Sequence, residues 1–172
     1  MLGTQWLSNQ GSSWQAYTLK ETDGKPDRNI LIDINQDNKL DAIVGFEAVS
    51  QPGKLAWYQQ LDSANQWQEH IIATDIIGPM SLDASDLDGD EDVDIVVGEH
   101  NTISPTEAKL YWLENKDGMG HSWHKHLVNL GDENHNGAQL VDLDLDGDLD
   151  IVSIGWTHQQ VITYENRHLS SP

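Results

Sequence analysis

The sequence predicts an all-β fold, a β-propeller of four-stranded antiparallel blades, and three observations carry the prediction. An Asp-rich segment recurs three times, starting at Asp33, Asp86 and Asp142, 53 and 56 residues apart. Each interval holds four short runs rich in β-branched and aromatic residues, separated by Gly, Asn, Asp or Pro. Helical periodicity is absent from those runs. Four-stranded units repeating at this period are the sequence signature of propeller blades.

The repeats align closely. The first reads Asp-Ile-Asn-Gln-Asp-Asn-Lys-Leu-Asp-Ala-Ile-Val-Gly from Asp33, and the second Asp-Leu-Asp-Gly-Asp-Glu-Asp-Val-Asp-Ile-Val-Val-Gly from Asp86. The third reads Asp-Leu-Asp-Leu-Asp-Gly-Asp-Leu-Asp-Ile-Val-Ser-Ile-Gly from Asp142. Leu55-Ala56-Trp57-Tyr58 matches Leu110-Tyr111-Trp112-Leu113, with Val161-Ile162-Thr163-Tyr164 in the same slot and Gln5-Trp6-Leu7 as an earlier copy. A second aromatic follows at Trp14, Trp67 and Trp123. Tyr17, His70 and His126 each stand 16 residues before the first Asp of the next loop.

In the middle unit the four strands are read at Met80–Asp86, Asp94–Gly98, Lys109–Glu114 and Trp123–Val128. The Asp-rich loop joins strand one to strand two. The chain then enters at strand three (Trp6) and ends after strand three (Tyr164), giving sheets of two, four, four and three strands in a single repeat domain over 1–172. The expected divisions are a partial blade over 1–28, blades over 29–75 and 76–130, and a partial blade over 131–172. Propellers close with roughly four to eight blades, so about three form a partial ring. Either further blades of a longer chain or oligomerisation would complete it. Two copies would make six blades, with strand four of one completing the last blade of the other and one strand three left over.

Composition narrows the partners. A net charge of −20 makes nucleic acid and anionic membrane surfaces poor ones. Seven Trp, four Tyr and recurring Ile/Val runs are enough for a core despite the acidity. There is no Cys, hence no disulfide. No apolar run approaches the roughly 20 residues that span a bilayer. The N-terminus, Met-Leu-Gly-Thr-Gln-Trp, has neither a basic region nor an apolar stretch, so no signal peptide is read there.

The loops carry the clearest chemistry. Calcium takes six to eight oxygens, at about 2.3–2.6 Å. Side chains at loop positions one, three, five and nine and the carbonyl at seven can supply them. The first loop offers Asp33, Asn35, Asp37, the Lys39 carbonyl and Asp41; the second, Asp86, Asp88, Asp90, the Asp92 carbonyl and Asp94. The third offers Asp142, Asp144, Asp146, the Asp148 carbonyl and Asp150. All-oxygen sets disfavour zinc and copper, and the carbonyl favours calcium over magnesium. About three calcium ions per chain are expected. The competing reading is a solvated acidic turn, but close-packed carboxylates repel and a cation relieves them. Position six needs a positive φ, which Gly147 suits, Asn38 tolerates and Glu91 does not. The third loop is therefore expected to be the strongest site, and the second to be strained or distorted.

The D-x-[DN]-x-D-x-x-x-D loop followed by Ile-Val-x-Gly resembles the FG-GAP/VCBS repeat of integrin-α-like propellers, and the Trp-Leu-Glu-Asn and Trp-x-x-His strands look like the bacterial VCBS form. The resemblance runs from Trp6 to Asn166. It implies a calcium-stabilised propeller, with each loop between strands one and two of a blade and the metal positions listed above for each loop. Asn38 and Glu91 depart from the Gly common at their position, and Asn35 from Asp. The family mostly serves binding and adhesion, and some members sit beside or within carbohydrate-active enzymes.

Strand alternation puts all metal loops on one face. The opposite face carries Phe46, Glu47, His100, Asn101, His135, Asn136, Trp156 and His158, residue types suited to a glycan or protein ligand. Ordinary loop polarity, with Trp156 partly buried between blades, is the competing reading. The repeated Trp residues are expected to pack between blades, and His70 and His126 to be structural. His121, His124 and His126 cluster, and alternation puts His124 and His126 on one side of a strand. No nucleophile elbow, phosphate loop or HExxH motif is present, so no enzyme is predicted. Glu47 and His135 are weak acid–base candidates. The expected function is a non-catalytic calcium-binding module for adhesion or recognition. The alternatives are the propeller portion of a lyase- or dehydratase-type carbohydrate enzyme and a self-assembling structural module. Extracellular calcium would fill even weak loops, which favours a secreted or cell-surface location.

Overall fold

The computed structural model describes residues 4–20, 24–63, 65–135 and 137–167. Thirteen strands form four antiparallel sheets in simple meander order. The N-terminal hairpin pairs β1 (Thr4–Asn9) with β2 (Trp14–Lys20). Blade one holds β3 (Pro26–Ile32), β4 (Asp41–Phe46), β5 (Pro52–Gln60) and β6 (Trp67–Ile77). Blade two holds β7 (Pro79–Ser85), β8 (Asp94–Glu99), β9 (Lys109–Asn115) and β10 (Trp123–Leu130). Blade three holds β11 (Gly137–Val141), β12 (Asp150–Ile154) and β13 (Val161–Tyr164). The pattern of two, four, four and three strands, all-β and propeller-like, is the one the repeat predicts. Blade one starts at Pro26 rather than at 29, because Pro26 pairs with Phe46. The only helical piece among the described residues is a 3-10 turn at Pro105–Glu107.

Alternation explains the packing. β7 packs against β3 on one side and β11 on the other, so the first strands of successive blades stand together and lie innermost. Side chains then point alternately to the next and the previous blade. Ile43, Leu55 and Trp57 face blade two and meet Ile95, Val97, Tyr111 and Leu113. Ala42, Val44, Phe46, Ala56 and Tyr58 face the hairpin and meet Leu19 and Trp67. Val96, Leu110 and Trp112 face blade three, with Ala138 and Ile151. Both faces of β4 and β8 are thus covered, and every residue of both strands is buried. That burial is why these strands read as unbroken apolar runs.

The repeated aromatics have two fates. Trp6, Trp57 and Trp112 stack on Tyr17, His70 and His126 across strands three and four, with ring centroids 4.9, 4.3 and 4.3 Å apart. Trp57 is fully buried, and its indole N–H donates to the Gly120 carbonyl of blade two at 2.9 Å. Trp14, expected between blades, is instead 65% exposed, because it ends the hairpin where β2 turns from β1.

Candidate metal loops and the opposite face

Each Asp-rich loop joins the first two strands of a blade: 33–40 between β3 and β4, 86–93 between β7 and β8, and 142–149 between β11 and β12. Each folds on its own carboxylates. The Asp33 carboxylate accepts the N–H groups of Asp37 and Asn38, and that of Asp86 those of Gly89, Asp90 and Glu91. At position five, Asp37, Asp90 and Asp146 each accept the N–H of position seven.

Two backbone positions per loop are left-handed. Position six is so at Asn38, Glu91 and Gly147, and position four at Gln36, Gly89 and Leu145. The expectation of distortion at Glu91 overlooked position four. The second loop places its glycine there, and Glu91 adopts φ 72° beside it.

Position nine does more than offer an oxygen. Asp41, Asp94 and Asp150 are buried, and each bridges two segments. One oxygen accepts the N–H of loop position two, at Ile34, Leu87 and Leu143. The other accepts the N–H just beyond strand three, at Gln60, or near its end, at Asn115, or two residues past it, at Asn166. The sequence marks these residues as ligands; their bracing role needed the fold.

The loops differ as cation holders. Carboxylate oxygens of Asp86, Asp88 and Asp94 come within 4.8 Å of one another, as do those of Asp142, Asp144 and Asp146. In the first loop the Lys39 ammonium stands 3.6 Å from Asp37, supplying a positive charge from within. Buried oxygens of Asp88, Asp92 and Asp142 have no hydrogen-bond partner. The donor set is oxygen throughout, which fits a hard divalent cation.

Burial raises Asp41 and Asp94 from 3.8 to about 6, although their backbone bonds oppose it. The cation-free folded protein therefore binds these protons more tightly than the unfolded chain does. The stability so gained is complete below the unfolded value and lost as pH rises through about 6. In chelator, the protein is expected to unfold at lower urea at pH 7 than at pH 5. Equal midpoints would show that the two carboxyls are not buried in this way.

Residues 33–97 match the model of the FG-GAP-like repeat. This chain carries an FG-GAP-like repeat. The matched span runs from the first loop, through blade one and the second loop, into β8. FG-GAP repeats form propellers, in agreement with the sheets above. No curated protein matches the chain.

The face opposite the loops of the FG-GAP-like repeat is built by the connections β4–β5, β8–β9, β10–β11 and β12–β13. It brings together His100, His135, Trp156 and His158, but not all the residues expected there. Phe46 is core, packed against the hairpin side of blade one with the Lys54 ammonium over its ring. Asn101 is buried, and its side-chain oxygen accepts the Ser104 N–H ahead of the 3-10 turn. Glu47 is exposed, 3.6 Å from Lys25. Asn136 lies outside the described residues. Trp156 is 67% exposed rather than tucked between blades.

Sequence reasoning missed the residues beneath this face. Asp132 is fully buried and accepts from His158, Ser153, Tyr164 and Asn134. Glu133 is also fully buried: one oxygen lies 2.5 Å from His100 Nδ1, and the other accepts the N–H groups of Trp156 and Thr157. Burial pushes the Glu133 carboxyl up, but these three donors outweigh it and hold it below the usual range. The signal available was the longer second interval, 56 residues against 53. On blade two, His124 and His126 do share a side, with rings 4.5 Å apart, and His126 Nε2 bonds Glu114 at 2.8 Å.

Proposed function

We propose that this chain is a non-catalytic, calcium-stapled propeller module that presents the face opposite its metal loops for adhesion or recognition. The observation that carries the reading is the recurrence, at one corner of three successive blades, of all-oxygen loops, two of which gather three carboxylates. Convergent carboxylates with unpartnered buried oxygens are costly without a cation. Calcium is the hard cation whose loose geometry suits a nine-residue loop with a backbone carbonyl. The ligand of the recognition face is a glycan or a protein, the ring is completed by further blades or a second copy, and the setting is extracellular or at the cell surface, where calcium is plentiful.

A catalytic reading draws on the His100–Glu133 pair. Against it, both oxygens of Glu133 and of Asp132 are occupied by donors, leaving no free carboxylate for acid–base work. The test is calorimetric titration of metal-stripped protein. Calcium is expected to bind the second and third loops at least, and magnesium more weakly. No binding heat and no protection by calcium would sink the staple.

A further inference from the structure

The connection from β10 to β11 breaks the repeat. Blade one passes to blade two through Gly78 alone, whereas blade two passes to blade three through residues 131–136. One residue suffices for the turn, so the extra length has no architectural necessity. Yet the insert is tightly built in. The side chains of Asp132, Glu133 and Asn134 are fully buried. Asn134 lies over Gly98, where a Cβ would stand 2.3 Å from its own Cβ, and the Glu133 carbonyl crosses Gly155, where a Cβ would stand 2.0 Å away.

What the insert fixes lies at the surface. Through its two oxygens Glu133 sets both the backbone of Trp156 and the ring of His100. The His135 ring lies 4.1 Å from that of His100 and meets Trp156 edge to face at 5.7 Å. An indole this exposed forgoes its burial free energy, and here it is held rigid by a buried carboxylate. On the same insert, Asn134 Oδ1 and His135 Nδ1 are buried without a hydrogen-bond partner. Such atoms normally have one.

From this geometry we propose that Trp156, His135 and His100 form a binding site for a neutral sugar ring of a glycan. The proposal rests on reading this face as the recognition surface and names its ligand class. A sugar ring has an apolar C–H face that matches an indole and a rim of hydroxyls that matches imidazole nitrogens. One isolated indole offers the area of one sugar ring, whereas a protein partner needs a wider patch. The net charge of −20 disfavours acidic glycans.

The test is a microarray of neutral glucose, galactose and mannose oligosaccharides, probed with the calcium-loaded protein, followed by calorimetry on the hits. The wild type is expected to be retained by at least one class. Trp156→Ala should weaken binding about tenfold or more, the loss typical of a central aromatic anchor. Trp156→Phe should keep part of it. Melting with and without calcium, read on the same samples, should not move in Trp156→Ala. A melt that ignores calcium counts against the staple and leaves the sugar site standing. No retention on the array, retention that survives Trp156→Ala, or binding of peptides alone overturns the sugar site.

Discussion

Stripping the cation from calcium-loaded protein is expected to lower its melting temperature by about 10–20 °C, with calcium restoring it better than magnesium. The size follows from mass action. At free calcium a hundredfold above Kd, each filled site adds about 2.7 kcal/mol to stability. Two filled loops add about 5 kcal/mol, and each kcal/mol moves a domain of this size by about 2–4 °C. The second and third loops, whose carboxylates converge, should contribute most. The first, with Lys39 beside Asp37, should contribute less. Asp144→Ala should therefore cost more than Asn35→Ala in calcium. An unchanged melt in chelator would mean that the loops are not structural cation sites.

The same measurement separates bracing from ligation. Asp94 holds the N–H groups of Leu87 and Asn115 in a buried setting, and Asp94→Ala leaves both unsatisfied. Each such loss costs about 1–3 kcal/mol, so this variant should be destabilised even in chelator. Asp88 makes no such brace. Burial and the charges of Asp90 and Glu114 raise its pKa, so its negative charge is unfavourable where it stands. Asp88→Ala should lose the calcium response and melt in chelator no lower than wild type. If both variants behaved alike in chelator, the buried brace would be wrong.

Much of this was legible in the sequence, for a physical reason. A strand buried on both faces must be apolar throughout, and a loop that gathers oxygens must space them two apart. Both constraints act on neighbouring residues, so the thirteen strands and three loops could be read directly. What escaped depends on residues far apart in the chain. Glu133 looks like loop acidity until His100, Trp156 and Thr157 are seen to converge on it. Phe46 looks like a face residue until the hairpin is seen to cover it. The third motif's glycine is a subtler case. Counting from the position-nine Asp, Gly45 and Gly98 align with Ile154, not with Gly155. Gly155 serves the crossing of Glu133 instead.

Gly45→Ala is expected to cost about 3 kcal/mol or more, at the upper end of overpacking, and to lower the melting temperature by about 6–12 °C. A Cβ at Gly45 would stand 1.9 Å from the Pro79 carbonyl oxygen and 3.3 Å from Leu82 Cδ1. Neither backbone can give way easily. Gly45 is paired with Arg28 on one side and Leu55 on the other, and Pro79 is paired with Glu99. Relief requires blade two to move off blade one by about 1 Å, which opens a close-packed interface. That interface is the large cluster around Ile43, Trp57, Ile95 and Leu113. Gly11→Ala is the control. It has a left-handed φ of 86° but nothing within 4 Å of its Cβ position, so backbone strain alone should cost about 1 kcal/mol. If Gly45→Ala melted no lower than Gly11→Ala, the repeat's glycine would not be the point where one blade seats on the next.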